Sequence, residues 1–518
     1  MKVKRPGLAA LLAALPLLFV LQACPDTPDP DEEERSKIAA DPDYEAKSFL
    51  RSQYMDVYYY WRDEVVDRNA ALKPYDYEIY DFFDEMLYRD DRWSWMCDKE
   101  TYVSDETGVI SGTWGVSLAQ AVEYYGDYSI RVRYIYPGSP LEPFGVTRGA
   151  VLTHIDGRSI EDDDEGFTQE KLTIFNENYY TSPQTFTFRL ADGRDTTFRT
   201  SWATSLQTRP SLIARVIRPD EFPGLTEPVG YFHYLGFKAN FLDDIHGAMK
   251  LFHDEGVRQL IIDLRYNGGG DARASQLMMD YLAPQSALGK NYVVRHHSSY
   301  LASLDDYFTD AENTTPIIDA DRAKYTEAGG DDAYWTKVFS NRFDIDRMYF
   351  ITGAGTASAS EMVINGLRPY VGEKLQMVGD TTYGKPNGMY VLMYPGSNDD
   401  YKAYNNGDFT RLQWVFLPIC FFNQNSLGES IPWDGFIPDN TRPDDLYHDF
   451  GVEEGDIKAC LTHLVTGAFP AVTDTPRRPG FTKAGGRRGY RIDLEEDSPR
   501  YGLDLVQKRD FGDFFGKK

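Results

Sequence analysis

The sequence predicts an α/β fold in which a large core follows a small helical region and a β-rich region. Three observations indicate this layout. Residues 37–104 carry apolar side chains at helical spacing, and residues 105–203 contain short β-like runs broken by glycine and proline. Residues 204–471 alternate apolar strands with amphipathic helices. With 518 residues, 42% of them hydrophobic, the chain is long enough for several domains and a large core.

Composition argues against some classes of function. A formal net charge of −27 provides no basic face, so we expect no nucleic-acid partner. Apart from Cys24, the cysteines are Cys97, Cys420 and Cys460, an odd and scattered set that predicts buried thiols rather than a disulfide framework. The eight histidines show no metal-ligand spacing. We therefore expect neither a metal site nor a cofactor.

The N-terminus predicts export and membrane attachment. Three basic residues among the first five precede a short apolar stretch, which is typical of a secretory signal peptide, assigned here to residues 1–23. The sequence LQAC that ends at Cys24 resembles the lipobox of bacterial lipoproteins. This resemblance implies cleavage before Cys24, lipidation of its thiol, and residues 24–36 as a lipidated acidic tether. Similar acidic runs occur in lipoproteins displayed on the cell surface, so we expect an outer-membrane lipoprotein facing the periplasm or the exterior. An ordinary signal peptide with an incidental cysteine is the alternative.

The region 37–104 is predicted to be a small helical domain. Phe49, Tyr54, Tyr58 and Trp61 recur at roughly helical spacing. Such a stripe predicts the core of the domain, and a ligand-facing surface is the alternative.

The region 105–203 resembles a PDZ domain of the bacterial protease type. A strand, a PGSP turn, a short helix and a second strand leading to IDG follow one another within residues 129–160. Trp114, Gly115 and Val116 lie where such domains have their carboxylate-binding loop. The resemblance implies that this loop binds the C-terminus of a peptide, which then pairs with the following strand. The tryptophan is larger than the usual residue of that loop. A generic small β-rich domain is the alternative.

The core contains a glycine turn with two possible uses. The apolar run LIIDL (260–264) is predicted to form a strand, and GGG at 268–270 separates it from an amphipathic helix that reaches residue 282. A phosphate-binding loop would require a GxGxxG or GK[ST] pattern, which is absent. The same geometry suits an oxyanion hole, because glycine lets a backbone amide approach a reacting carbonyl closely.

Ser358 is a candidate nucleophile at the start of a helix. The strand 347–352 is followed by apolar positions at helical spacing from Ala359 onward, so Ser358 meets the unpaired amides of a first turn. Thr356 or Ser360 is expected to cap this helix. Glu361 is expected to favour its start by charge, and a capping or solvated acid is the alternative. A serine needs a base, and Lys385 follows in a glycine turn. A lysine acts as a base if desolvation lowers its pKa.

Together these motifs resemble peptidase family S41, the carboxyl-terminal processing (tail-specific) serine peptidases, in their lipoprotein-anchored branch. The motifs are DLRYNGGG (263–270), TASASE (356–361), GDTTYGK (379–385) and GFIPDN (435–440). The resemblance implies Ser358 as the nucleophile, Lys385 as its general base, and an oxyanion hole from the amides of Ala359 and either Gly268 or Gly269. It implies a ClpP/crotonase-like α/β spiral core and cleavage of extracytoplasmic polypeptides selected by their C-termini. Residues 472–518 form an extension without an assigned role.

One departure from the family concerns the lysine. Many relatives carry a glutamine four residues after it, where this chain has Met389. We therefore expect Thr356, Ser360 or a backbone carbonyl to orient Lys385 instead. Two other functions remain open. One is a catalytically weak or inactive surface lipoprotein that binds peptides or glycans, and the other is a crotonase-like acyl-transfer enzyme, which secretion and the PDZ-like region disfavour.

Overall fold

The computed structural model describes residues 31–58, 62–121, 126–304, 308–310, 314–317 and 332–472. The predicted signal peptide, Cys24, the first part of the tether and residues 473–518 lie outside these ranges. Among the described residues, no helix is both long and apolar enough to cross a membrane.

The N-terminal region is mainly helical. Its elements are α1 Glu32–Ala40, α2 Tyr44–Val57, α3 Arg62–Ala71, α4 Ile79–Met86, β1 Trp95–Asp98, α5 Lys99–Thr107 and β2 Val109–Ile110. Asp31 caps α1, which buries no residue. Tyr58 and Phe82, by contrast, are fully buried in the same hydrophobic cluster as the central sheet. The region is therefore packed onto the core.

The β-rich unit has a core of its own. Its elements are β3 Val116–Ala119, β4 Ile130–Ile135, β5 Val151–Ile155, β6 Arg158–Ser159, α6 Gln169–Asn178, β7 Gln184–Arg189 and β8 Asp195–Thr200. The strands form an antiparallel sheet in the order β3-β4-β5-β7-β8, with β6 paired to β5. In β7, Phe186 and Phe188 point inward while Thr185 and Thr187 are half-buried, as expected for a sheet with one covered face.

The remaining elements alternate strands and helices. They are β9 Leu206–Gln207, β10 Ser211–Ile217, β11 Val229–Tyr234, α7 Leu242–Asp254, β12 Gln259–Asp263, α8 Ala272–Leu282, β13 Asn291–His297, α9 Ser299–Leu304, β14 Thr314–Pro316, α10 Asp332–Asn341, β15 Arg347–Thr352, α11 Ala359–Val371, β16 Leu375–Gly379, β17 Asn387–Met389, β18 Leu392–Tyr394, α12 Asn398–Asn405, β19 Trp414–Leu417, β20 Ile419–Gln424, β21 Asn440–Thr441 and α13 Gly455–Thr466.

The central sheet has the order β10-β11-β12-β15-β16-β21 and is parallel from β11 to β21. Its strands are covered on both faces. In β12, Leu260 and Ile262 pack in the cluster that contains α7, α8 and α11, whereas Ile261 packs in the cluster that contains α13. The predicted α/β layout is confirmed, including the strand, glycine turn and helix between residues 258 and 282.

Within the described ranges there are also three small antiparallel sheets. One joins β1, β19 and β18, one pairs β2 with β9, and the third has the order β14-β13-β20-β17. The last sheet has β17 at its edge, just after Lys385. Cys97, Cys420 and Cys460 are buried free thiols, as predicted.

A buried polar contact joins the β-rich unit to the core. Arg148, just before β5, is 1% exposed and donates hydrogen bonds to Tyr266 Oη at 2.8 Å and Asp444 Oδ1 at 2.6 Å. Tyr266 follows β12 and has a positive φ of 64°. The β-rich unit therefore contacts the turn that continues into residues 268–270.

Candidate active site

Ser358 lies in a strained position between β15 and α11. Its backbone has φ 54° and ψ −113°, a conformation that costs a non-glycine residue energy. The residue is fully buried, and its Oγ has no hydrogen-bond partner among the described residues. A buried hydroxyl left unpaired at a helix N-terminus is available for chemistry.

The glycine turn lies directly against Ser358. A Cβ added to Gly269, whose φ is 113°, would lie 2.8 Å from Ser358 Cβ and 3.0 Å from the Ala359 nitrogen. Real Cβ atoms do not approach other atoms this closely, so only glycine fits. The turn and the start of α11 thus form one tightly packed unit.

The structure distinguishes the two glycines proposed for the oxyanion hole. The Gly269 amide donates to Asn267 Oδ1 at 2.9 Å and is therefore already engaged. The amides of Gly268 and Ala359 make no hydrogen bond within the described residues. Gly268 is thus the better candidate.

Lys385 lies in the buried segment between β16 and β17. The side chain is fully buried, and Nζ lies 3.7 Å from Met389 Sδ. A thioether is a weak hydrogen-bond acceptor. The residue that replaces the expected glutamine therefore contacts the amine directly.

Glu361 connects Ser358 with the lysine turn. One oxygen, Oε2, accepts the main-chain amides of Ser358 at 2.9 Å and Lys385 at 2.8 Å. The other, Oε1, accepts the Gly384 amide at 2.8 Å and the Thr382 hydroxyl at 2.5 Å. Burial raises the pKa of Glu361, and these four donors act against that shift. The alternative of a solvated acid is wrong, because the side chain is fully buried.

The hydroxyls expected to cap α11 bind elsewhere. Thr356 Oγ1 donates to the carbonyl of Leu264 at 2.8 Å, and Ser360 Oγ donates to the carbonyl of Asn267 at 3.0 Å. The N-cap position belongs to Ser358, whose side chain makes no cap hydrogen bond. The capping prediction for Thr356 or Ser360 is therefore wrong; their hydroxyls tie the start of α11 to residues 264–267, between β12 and the glycine turn.

The predicted carboxylate-binding loop is occupied by its own contacts. Trp114 is 4% exposed in the core of the β-rich unit, and its Nε1 donates to the Tyr179 carbonyl at 2.8 Å. The Gly115 amide donates to Thr113 Oγ1 at 3.0 Å. Val116 begins β3, which lies at the edge of its sheet. The Trp114 side chain thus packs into the core of the unit, whereas β3 is available at the sheet edge, and peptide binding by this loop stays a prediction.

Three carboxylates outside this site lie close enough together to hold a metal ion: Asp444, Glu454 and Asp456. Arg265, itself 1% exposed, donates through Nη1 to all three, at 3.0, 2.5 and 2.7 Å. Its guanidinium takes the position that a cation would need. The cluster is therefore an internal ion-pair network.

Sequence reasoning missed two residues that support the site. Asn267 donates from Nδ2 to the Tyr234 carbonyl at 2.8 Å while accepting the Gly269 amide, so it fixes the turn. Its position directly before three glycines was the available signal. Arg92 donates to the carbonyls of Trp433 at 2.7 Å and Gly384 at 3.4 Å, and nothing local in the sequence indicates this contact.

An α/β core that holds a strained, buried serine at a helix N-terminus beside a glycine turn is an arrangement typical of serine hydrolases. Residues 228–401 match the model of peptidase family S41. The matched range contains the glycine turn, Ser358 and Lys385. The resemblance to family S41 is therefore confirmed for this part of the chain, and it supports a serine-type peptidase.

The chain is similar to several solved structures. The chain is similar to a Bacteroides fragilis NCTC 9343 protein described as a candidate S41 protease, with a TM-score of 0.58 and 20% identity, covering 86% of this chain and 100% of that chain. The photosystem II D1 C-terminal processing protease gives a TM-score of 0.40 at 17% identity, covering 80% of this chain and 94% of that chain. Mature CPAF complexed with lactacystin gives a TM-score of 0.43 at 11% identity, and the match covers 82% of this chain and 99% of that chain. No curated protein matches the chain in sequence.

The first of these similarities carries the fold assignment. With the sheet order and the family match, it confirms the predicted fold class: an α/β peptidase core of the ClpP/crotonase type with a β-rich domain and N-terminal helices.

Proposed function

We propose that the protein is a serine endopeptidase that uses a Ser358–Lys385 dyad. The observation that carries the proposal is the buried, unpaired Oγ of Ser358, which lies between the amide-rich start of α11 and the glycine turn. The family match supports the coarser part, a serine-type peptidase. The pairing of the two residues is supported by Glu361, which accepts the main-chain amides of both Ser358 and Lys385.

The proposed reaction begins with proton transfer. Neutral Lys385 accepts the proton of the Ser358 hydroxyl while Oγ attacks the carbonyl carbon of the scissile peptide bond. The amides of Ala359 and Gly268 stabilise the oxyanion. The lysine then protonates the leaving amine, and water hydrolyses the acyl-enzyme.

The proposed mechanism requires Lys385 to act as a base in its uncharged form. The side chain is fully buried. Activity should then rise through neutral to mildly alkaline pH.

The test is cleavage of an unfolded substrate by the full chain in detergent. Labelled casein is incubated with the wild type, Ser358→Ala, Lys385→Met and the control Ser129→Ala, which loses a buried hydroxyl in the β-rich unit. We expect both dyad variants to lose at least about 10³-fold in rate and the control to keep its activity. A fluorophosphonate should label the wild type at Ser358.

Three other outcomes separate the rival functions. Equal cleavage by wild type and Ser358→Ala contradicts the Ser358 assignment. Loss of cleavage in Ser358→Ala alone contradicts Lys385 as the base. Casein binding without cleavage by any form supports the binding protein, which the weak thioether contact of Lys385 also favours.

We further propose that the β-rich unit acts like a PDZ domain and selects substrates by their C-termini. The edge position of β3 supports strand pairing with a peptide. Matched peptides ending in a carboxylate or a carboxamide test this selection. Equal binding of both forms contradicts it.

Membrane attachment through lipidated Cys24 is also a proposal, supported by the lipobox-like sequence. It implies extracytoplasmic polypeptide substrates at the outer membrane. Incorporation of an alkyne-tagged fatty acid in the wild type but not in Cys24→Ser is the expected result. Equal labelling of both forms contradicts it.

A further inference from the structure

Asn387, the first residue of β17, carries a buried amide that the fold leaves unused. The side chain is fully buried, and neither Nδ2 nor Oδ1 has a hydrogen-bond partner among the described residues. Buried polar groups are almost always paired. Rotating the amide by half a turn does not help, since both of its polar atoms are unpaired.

Asn387 follows the proposed base, Lys385, by two residues. Asn387 and Met389 are the first and third residues of β17, whose pairing with β20 is irregular between Gly388 and Met389. Lys385 Nζ lies 3.7 Å from Met389 Sδ, so the amine packs against this strand. The unpaired amide and the amine therefore belong to one short buried segment, residues 385–389.

A second unpaired group belongs to the same site. Ser358 Oγ also has no partner among the described residues, and Glu361 draws the main chains of Ser358 and Lys385 together. A polypeptide bound at Ser358 and along β17 would supply hydrogen-bond partners for both buried groups. β17 is an edge strand, bonded to β20 alone within its sheet, which is where extended peptides pair.

The chemistry of the amide indicates the ligand. A carboxamide offers one acceptor oxygen and two donor hydrogens, which matches the N–H and C=O of a peptide group. We propose that Asn387 binds the main chain of the substrate polypeptide close to the scissile bond. This inference rests on the proposed peptidase function and adds a determinant that recognises peptide bonds independently of their side chains.

Stability and activity should respond in opposite ways to Asn387→Leu, which keeps the size and removes the amide. Because the amide makes no internal hydrogen bond, we expect Tm to stay the same or to rise. We expect kcat/KM on a quenched casein-derived peptide to fall about 10- to 100-fold. The matched control Asn425→Leu removes a buried amide that is fully hydrogen-bonded, and its Tm should fall.

Backbone-modified peptides identify the contact. A series of the same casein peptide carries an ester in place of one amide at successive positions around the cleaved bond. At one position the ester should lower kcat/KM of the wild type about tenfold and leave kcat/KM of Asn387→Leu unchanged. Equal losses for both proteins at every position, or a Tm loss like that of Asn425→Leu, overturn the proposal in favour of a structural role through buried water.

Binding separates this proposal from the proposed function. The affinity of the labelled casein peptide is compared between Ser358→Ala and Ser358→Ala with Asn387→Leu, which needs no turnover. If the wild type binds the peptide but does not cleave it, only the Ser358 mechanism is contradicted. Weaker binding by the double variant then still supports the contact between Asn387 and the peptide main chain. If the wild type neither binds nor cleaves the peptide, both the proposed peptidase function and the proposed role of Asn387 are overturned.

Discussion

Ser358 and Lys385 point their main-chain amides at the same carboxylate oxygen, Oε2 of Glu361, at 2.9 and 2.8 Å. The two nitrogens therefore lie within two hydrogen-bond lengths of each other although 27 positions separate them in the sequence. Glu361 is fully buried, and its other oxygen binds the same turn through Thr382 and Gly384. The geometry of the proposed dyad thus depends on a residue that does not react.

Replacement of Glu361 with glutamine should disrupt this arrangement. A glutamine has one acceptor oxygen, so its NH₂ group would face donors that now bind a carboxylate. We expect a loss of about 2–4 kcal/mol in the free energy of unfolding and at least about a tenfold loss in casein cleavage. Urea unfolding and the cleavage assay measure both.

The matched control is Glu373→Gln, an exposed glutamate just beyond the other end of α11. Glu373→Gln should change neither the free energy of unfolding nor the rate of casein cleavage. Wild-type activity in Glu361→Gln would show that the lysine turn is held by other contacts.

Gly269→Ala should inactivate the protein by contact with Ser358. Its Cβ would lie 2.8 Å from Ser358 Cβ, and its φ of 113° is unfavourable for alanine. We expect a loss of about 10²-fold or more in cleavage rate because the glycine turn must shift. Gly256→Ala is the control, since Gly256 has a φ of 67° and no atom within 4 Å of an added Cβ. Gly256→Ala should lose about 1 kcal/mol in the free energy of unfolding and keep its cleavage rate. An active Gly269→Ala would show that catalysis does not depend on the glycine turn.

The sequence predicts the core well because its signals are local. Leu260 and Ile262 alternate with Ile261 across a strand buried on both faces, and Ile245, Met249 and Phe252 follow one face of a helix. These patterns depend only on the periods of strand and helix. The position of Ser358 between β15 and α11 can also be predicted locally, because a strand pattern directly precedes it and a helix pattern directly follows it.

The support of the site could not be predicted, because it joins distant segments. The sequence favours a glutamate at the start of α11 as a cap, and Glu361 does accept the Ser358 amide, but nothing local indicates that it also binds a turn 24 positions later, as it does with Lys385. Thr356 and Ser360 bond to carbonyls 92 and 93 positions earlier. Trp114 illustrates the same limit, since a tryptophan just before a glycine fits a loop or a core equally well.

Met389→Gln should raise activity. The thioether 3.7 Å from Lys385 Nζ orients the amine weakly, whereas an amide oxygen of similar reach accepts a hydrogen bond from it. We expect kcat to increase about three- to tenfold with KM nearly unchanged. Met389→Leu, which keeps the volume without an acceptor, should stay within about twofold of the wild type. A loss of kcat in Met389→Gln alone would mean that the amine is already well oriented and that the amide disturbs it.

His233 should make the protein sensitive to acid. Burial lowers the pKa of this imidazole to about 4, and its surroundings include Asp263, Arg265 and Arg148. An unfolded histidine titrates near pH ~6.5. Between these values the unfolded state binds the extra proton, so the free energy of unfolding should fall by about 3 kcal/mol in total as the pH falls from ~6.5 to 4.

Replacement of His233 with leucine should remove this dependence. Neither ring nitrogen has a hydrogen-bond partner among the described residues, so the substitution leaves no group unpaired. We expect His233→Leu to lie within about 1 kcal/mol of the wild type at pH ~7 and to be more stable by about 2 kcal/mol at pH ~4.5. Urea unfolding at the two pH values measures the difference, with His253→Gln, which removes an exposed imidazole, as the control. Parallel pH dependence in wild type and His233→Leu would contradict the prediction and assign the acid sensitivity to the neighbouring carboxylates.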